Sequence, residues 1–415
     1  MASLAPTGSN CIVTSSIDKT VKVWDLDCME QAVHTVDRHD LPVEEVMLGG
    51  KNVVAARSRN CVVLWDVDTG KLLRKVSNTM MGAVITKAAL TKHGDLLVTV
   101  ECNCLLIWAM NPNPKDRDRG LLFKEPVSEV VQLVLHQDDT RLLVVTKEAL
   151  GDGVHMLRVE SRLLPDGESV YTLDFPVTRV KPICLTQDES WLVGLGWEAQ
   201  RPVIFVFHTD SGEFLHRVLL KIVSTKDVLG VVAVKDKHNT IAIIESDKAN
   251  ICDLKNKRFL KPIPGWTGQS SQNGKWGLSA PSRGGLDLLD LCQEGAVVRQ
   301  LIPRRTQGVA TVHALFNSTD EFVIYFNSVE QSIQVFGVEN GQQLANYIVH
   351  ADLRSIATSE VNILEPKYKS YPGQNQNISW LSGWTLGCLW NFRGFNNKAS
   401  SSHFHKFSQN QHIYG

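Results

Sequence analysis

Short aliphatic and β-branched runs alternate with polar turns along nearly the whole chain, and the runs come in pairs. The first member of each pair falls at residues 10–16, 51–57, 95–101, 141–147, 191–196, 240–245, 275–280, 321–326 and 377–382. The second falls at 20–25, 61–67, 104–109, 154–159, 202–207, 249–253, 285–290, 332–337 and 386–392. Runs this short, bounded by Gly, Asn, Asp and Ser, predict β-strands rather than helices. Most are continuously apolar, so they predict strands buried on both faces. Further strand signals precede the pairs at 43–48, 84–90, 129–135, 179–185, 228–234, 309–315 and 354–358. Half-polar runs follow them behind glycine turns, at Thr69-Gly70-Lys71, Ser211-Gly212-Glu213 and Asn340-Gly341-Gln342. That alternation predicts an exposed edge strand. The chain thus reads as all-β, with a four-strand unit met nine times.

One stretch gives the unit a sharper signature: Ser16-Ile17-Asp18-Lys19-Thr20-Val21-Lys22-Val23-Trp24-Asp25. It returns in weaker form at Cys61-Val62-Val63-Leu64-Trp65-Asp66 and at Cys104-Leu105-Leu106-Ile107-Trp108. Trp24 and Trp65 are 41 residues apart, Trp65 and Trp108 43. A period of roughly 40–45 residues with this motif resembles the WD40 family, whose unit is one blade of a β-propeller. In that family a turn Asp, a strand Ser or Thr, a His ahead of the innermost strand and the Trp indole form a buried hydrogen-bond network. The resemblance assigns Ser16, Asp18, Trp24, His39, Trp65 and Trp108 to that network. Their expected role is structural, because a buried indole N–H and hydroxyl need partners.

Nine units exceed the commonest ring of the family. A ring closes when a strand from one end completes the blade at the other, since an open ring leaves unpaired edges. With residues 72–76 completing the last unit, units three to nine form a seven-bladed propeller; the alternative is one ring of eight or nine blades. The domain reading is therefore 1–68 as two units of a preceding propeller or as first blades, 69–393 as the propeller, and 394–415 as a polar disordered tail. The degenerate repeats and the suggestion of tandem propellers are also similar to proteins in which a NACHT ATPase precedes WD repeats. That resemblance covers only the WD part, and no phosphate-loop motif is present here.

Composition narrows the function. The chain has 415 residues, 43% hydrophobic and 21% charged, which is ordinary globular material. A formal net charge of −1 provides no basic field for nucleic acid. Nine cysteines at irregular spacing predict reduced thiols and a cytoplasmic location rather than a disulfide framework. No charged leader with an apolar core opens the sequence, and no apolar run reaches the ~18 residues of a membrane span. Residues 268–275 only superficially resemble a phosphate loop: the spacing is off and Trp276 stands where Ser or Thr would hold magnesium. Cys102 and Cys104 are two thiols without nearby His, short of the four ligands of structural zinc, and core packing is their expected use. His403 and His405 lie in the polar tail. No catalytic residue, metal site or cofactor is expected.

What remains is recognition. A propeller is a rigid disc whose turns converge on one face. In the WD40 family that face is built from turns before the innermost strand and turns inside each strand pair, and the resemblance makes Arg57, Arg59, Trp197, Arg201, Lys248, Arg283, Glu330 and Trp384 candidate protein-binding residues. Arg forms bidentate pairs with acidic groups and Trp supplies apolar anchors. The expected function is a non-catalytic scaffold for proteins or peptides, as a monomer or part of a larger chain. The alternatives are an autoinhibitory sensor of a NACHT-type ATPase and an enzyme with an axial site. The last needs converging His and carboxylates, which the innermost strands do not offer.

Overall fold

A computed structural model describes residues 11–358 and 363–364, apart from 17, 27–31, 37–38, 51–52, 68, 113–119, 152–153, 178–180, 199–200, 221–227, 246, 280–284, 304–312, 318, 328–331 and 349–352. The described chain is all strand and turn, arranged as eight antiparallel sheets, each one blade. Blade 2 shows the plan. Its innermost strand Val43–Gly49 pairs with Val53–Ser58, then Cys61–Asp66, then the outermost Leu72–Ser77. The same order holds in blade 3 (Ile85–Leu90, Leu96–Glu101, Cys104–Ala109, Leu121–Pro126) and blade 4 (Glu129–Leu135, Arg141–Gly151, Val154–Leu163, Ser169–Val177). Blades 5 to 8 begin with Cys184–Leu185, Val228–Ala233, Trp266–Ser270 and His313–Phe316. Neighbouring blades touch around the whole circuit, until His313–Phe316 meets Ile363–Leu364 of blade 1.

Closure differs from the sequence expectation. Leu72–Ser77 pairs with Cys61–Asp66 inside blade 2, so it is not available to complete a last blade. Instead Leu353–Thr358, the innermost strand expected of unit nine, pairs with Cys11–Ser16. Blade 1 is therefore built from both ends of the described chain, with Val21–Asp25 and Ala32–Val36 as its outer strands. The first two units become the first two of eight blades. The physical reason is the edge: Cys11–Ser16 pairs with Val21–Asp25 on one side, and its other edge, left open, would carry unpaired N–H and C=O groups. The strands expected at 377–382 and 386–392 and the tail 394–415 lie outside the described residues.

The cores lie between blades. One apolar cluster packs Leu143, Leu157 and Val159 of blade 4 against Leu192 and Phe207 of blade 5. Another joins Ile204 and Val206 of blade 5 to Ile241 and Cys252 of blade 6. Each middle strand thus has an apolar neighbour on both faces, which is why its sequence runs apolar without alternation. Tight approach makes one glycine obligatory: a Cβ on Gly194 would stand 2.3 Å from the Phe175 ring.

One set of turns is tied blade to blade. The Asp139 carboxylate in blade 4 accepts from the Lys92 and His93 amides of blade 3 at 2.7 and 2.8 Å, and lies 2.7 Å from His93 Nδ1. Asp320 in blade 8 likewise accepts from the Gln272 and Asn273 amides of blade 7, and Glu189 in blade 5 from the Gln137 amide of blade 4. Asp139, Glu189 and Asp320 have φ of 58°, 55° and 61°. The left-handed backbone aims each carboxylate at the preceding turn, which Asp accepts at modest cost.

Candidate protein-binding face

The turns between second and third strands, and the links from each outermost strand to the next blade, gather on one face of the ring. The opposite face carries the carboxylate-tied turns. Two of the three motif tryptophans donate to a hydroxyl of the neighbouring strand. Trp24 Nε1 donates to Thr14 Oγ1 at 3.0 Å. Trp108 Nε1 donates to Thr99 Oγ1 at 2.9 Å. Both hydroxyls stand two residues beyond the residue paired with the Trp, Ile12 for Trp24 and Leu97 for Trp108. Asp18 stays in its turn, accepting from the Thr20 amide at 2.9 Å and Thr20 Oγ1 at 2.6 Å, while Ser16 Oγ accepts from the Asp18 amide. Burial pushes the Asp18 carboxyl up, yet the Thr20 and Ser16 hydrogen bonds outweigh it and hold the group below the usual range. An exposed Asp is better satisfied by its own turn than by a distant indole.

In blade 2 the Trp65 indole is 1% exposed and its Nε1 has no partner among the described residues. His39 packs edge-on to it, with ring centroids 6.5 Å apart, and faces Cys61 Sγ at 3.8 Å through Nδ1. Burial, assisted by Lys75, pushes the His39 imidazole down to about 4. Burial also raises the Cys61 thiol, against a lowering contact from Ser58.

Arg57 is buried rather than presented. Its side chain is 2% exposed, and Nε donates to Glu45 at 3.0 Å while Nη1 donates to Glu44 at 2.8 Å and to the Ile85 carbonyl of blade 3 at 3.0 Å. A β-bulge between Val43 and Glu45 offsets the ladder where both carboxylates turn to the same guanidinium. Arg59, 46% exposed, adds a bond to Glu44 at 2.9 Å. Burial pushes the Glu44 carboxyl up, but the two guanidiniums outweigh it and keep it ionised below its usual range. Arg57 therefore ties blade 2 to blade 3 and positions Glu44 and Arg59 at the surface.

Elsewhere on the face, Arg201 is exposed at the start of its strand opposite Glu198. Lys248 lies 3.5 Å from Glu245. Trp197 belongs to the strand Trp191–Glu198 of blade 5. Arg283, Glu330 and Trp384 lie outside the described residues. Arg59, Arg201 and Lys248 thus sit on three different blades rather than in one cluster. Cys102 is exposed in the tight turn of blade 3, while Cys104 packs partly against the core.

The sequence reading missed Glu44, Glu45, Glu101, Met80 and Met81. The two glutamates break an apolar run, a signal that a buried charge needs a partner. Glu101 is 2% exposed and ends its strand in blade 3. Its carboxylate accepts from the Thr79 amide and hydroxyl and from the Met80 amide at 2.8–3.0 Å.

Eight blades, six of four strands and two of five, with motif tryptophans on the third strand of the first three, define a WD40-type β-propeller. The chain belongs to the NWD2 C-terminal beta-propeller family, whose model matches residues 33–363, consistent with the C-terminal region of a NACHT-and-WD-domain protein. No curated protein shows a significant match in sequence. Among solved structures, the chain is similar to a dihydro-heme d1 dehydrogenase, NirN, at 16% identity and a TM-score of 0.65, covering 84% of this chain and 75% of that one. The C-terminal WD40 domain of Sif2 aligns at 12% identity and a TM-score of 0.57, over 78% of this chain and 91% of that one. AztD from Citrobacter koseri aligns at 11% identity and 0.56, over 84% and 97%. At these identities the likeness concerns the fold alone.

Proposed function

We propose that this propeller is a non-catalytic scaffold that binds other proteins or peptides through the face bearing Arg59, Arg201 and Lys248. The observation that carries the reading is the Arg57–Glu44–Glu45 cluster, in which Arg57 and Glu45 are buried. It fixes exposed Arg59 on a frame spanning two blades, and a pre-set side chain loses less entropy on binding. The WD40-type fold supports the same reading at a coarse level. Action in the cytoplasm, as a monomer or as part of a larger chain, belongs to this proposal; the free thiols of Cys61, Cys102, Cys104, Cys184, Cys252 and Cys292 support it. The test is affinity capture with mass spectrometry, comparing the chain with its Arg59→Ala/Arg201→Ala/Lys248→Ala variant after circular dichroism shows both folded alike. Partners captured by the first and lost by the second support the face. Equal capture by both moves recognition elsewhere on the disc.

Family membership favours a second reading. In a longer chain with a NACHT ATPase, the propeller would restrain the ATPase until a ligand binds, which requires the ligand to prefer one of two states. ATP hydrolysis by the longer protein, measured with and without this region, separates it from a plain scaffold.

A further inference from the structure

The link from blade 2 to blade 3, residues 78–84, forms an apolar projection on the same face. Met81 is fully exposed, Met80 is 52% exposed, and Val84 and Leu41, the latter in the preceding link, are 38% exposed. The projection is held in shape. Besides the three bonds to Glu101, the Asn78 amide donates to the Asn60 carbonyl, Asn78 Nδ2 to the Ala83 carbonyl, and the Ala83 amide to the Met80 carbonyl. The Ile85 amide joins the loop's end to the Arg59 carbonyl. A carboxylate removed from water is costly unless it is well bonded, and here its bonds serve to hold two thioethers out in solvent. Two cations close to the loop are matched: Arg59, whose carbonyl accepts from the Ile85 amide, lies 2.9 Å from Glu44, and Lys75, three residues ahead of the loop, 3.3 Å from Asp40.

We propose that the Met80–Met81 loop docks an uncharged segment of a partner polypeptide that carries an aromatic anchor. Thioethers are polarisable, adapt to irregular shapes and make favourable contacts with aromatic rings. A loop already ordered by Glu101 gives up little freedom on binding. Matched ion pairs beside it offer a charged segment no net field, and they suit the polar rim that surrounds an apolar hot spot. This deepens the scaffold reading above and rests on it.

The test selects random displayed peptides on the 415-residue chain. Enriched peptides are titrated against the chain, against Met80→Gln/Met81→Gln and against Met80→Leu/Met81→Leu. Methionine methyl NMR maps the contact. The expected result is low-charge peptides with an aromatic residue, weakened about tenfold by the Gln pair and kept by the Leu pair, with shifts at the Met80 and Met81 methyls. Both pairs replace exposed side chains, so folding is not at stake. Enrichment of a charged consensus, equal affinity for the Gln pair, or no enrichment overturns the proposal. Peptides that bind but shift other methyls overturn it while the scaffold reading stands. Failure of that reading shows separately, as no partner in the capture experiment.

Discussion

The Trp108 indole donates to the Thr99 hydroxyl at 2.9 Å, and the corresponding position in blade 2 holds no hydroxyl at all. Trp65 pairs with Val54, and two residues on stands Ala56, fully buried. That absence accounts for the unsatisfied Trp65 N–H. Thr99→Val should therefore lower stability by about 1–3 kcal/mol, by leaving a second buried N–H without an acceptor. Ala56→Ser should raise it by about 1 kcal/mol. Shifts of the urea midpoint in opposite directions check both; a neutral Thr99→Val would show that the bond carries no weight.

Arg57 and Glu45 form the most deeply buried ion pair described on the binding face. Truncating one partner, as in Arg57→Met, leaves uncompensated carboxylates and should cost about 3–5 kcal/mol. The double change Arg57→Met/Glu45→Met should recover most of that loss, since well-packed apolar replacements of buried pairs are often near neutral. A double-mutant cycle by chemical denaturation reads the coupling. If the double variant is as unstable as the single one, the loss lies in packing rather than charge.

His39 makes stability depend on pH. Its folded value of about 4 lies below the ordinary 6.5, so the unfolded chain takes up a proton that the folded chain refuses. Its contribution is fully present above pH 6.5 and is lost as pH falls toward 4. The full loss is roughly 3 kcal/mol. Thermal melts across this range should show a steep fall in midpoint, flattened in His39→Phe. Burial also holds His136 and His216 low, so a smaller slope should remain. An unchanged slope in the variant would remove His39 as the cause.

Glu101 should govern the order of the link that carries Met80. Glu101→Ala removes the acceptor for the Thr79 and Met80 amides. Hydrogen exchange at those two amides should accelerate by at least about tenfold, as expected when local protection is lost. Exchange in blade 6 should not change. Equal protection in the variant would mean that the loop is ordered by other contacts.

Asp139 joins blades 3 and 4 through charge-assisted bonds to two amides. Asp139→Asn should cost about 1–2 kcal/mol, because a neutral acceptor makes the weaker bond. Asn tolerates the same left-handed backbone, so the turn itself should persist. Melting of this variant beside Asp320→Asn would show whether the two ties contribute alike.

The chain's own pattern determined the class of fold. A strand buried between two blades must be apolar at consecutive positions, and that local requirement is visible in Val62-Val63-Leu64-Trp65 without any coordinates. The burial of Trp24, Trp65 and Trp108 was legible for the same reason. The strand Trp266–Ser270 was not legible, because Trp-Thr-Gly-Gln-Ser carries no apolar run; it is a strand through its pairing with Trp276–Ser279 and its packing against blade 6. The tertiary structure alone decided how the ring closes, because the pairing of Cys11–Ser16 with Leu353–Thr358 joins residues far apart in the chain and depends on which edge is vacant. It also decided that Arg57 lies inside while Arg59 lies outside. Two arginines two residues apart have the same sequence character; Arg57 lies in the strand Val53–Ser58 and Arg59 stands in the turn, and while Glu44 bonds both, Glu45, beside a bulge on the adjacent strand, bonds Arg57 at 3.0 Å.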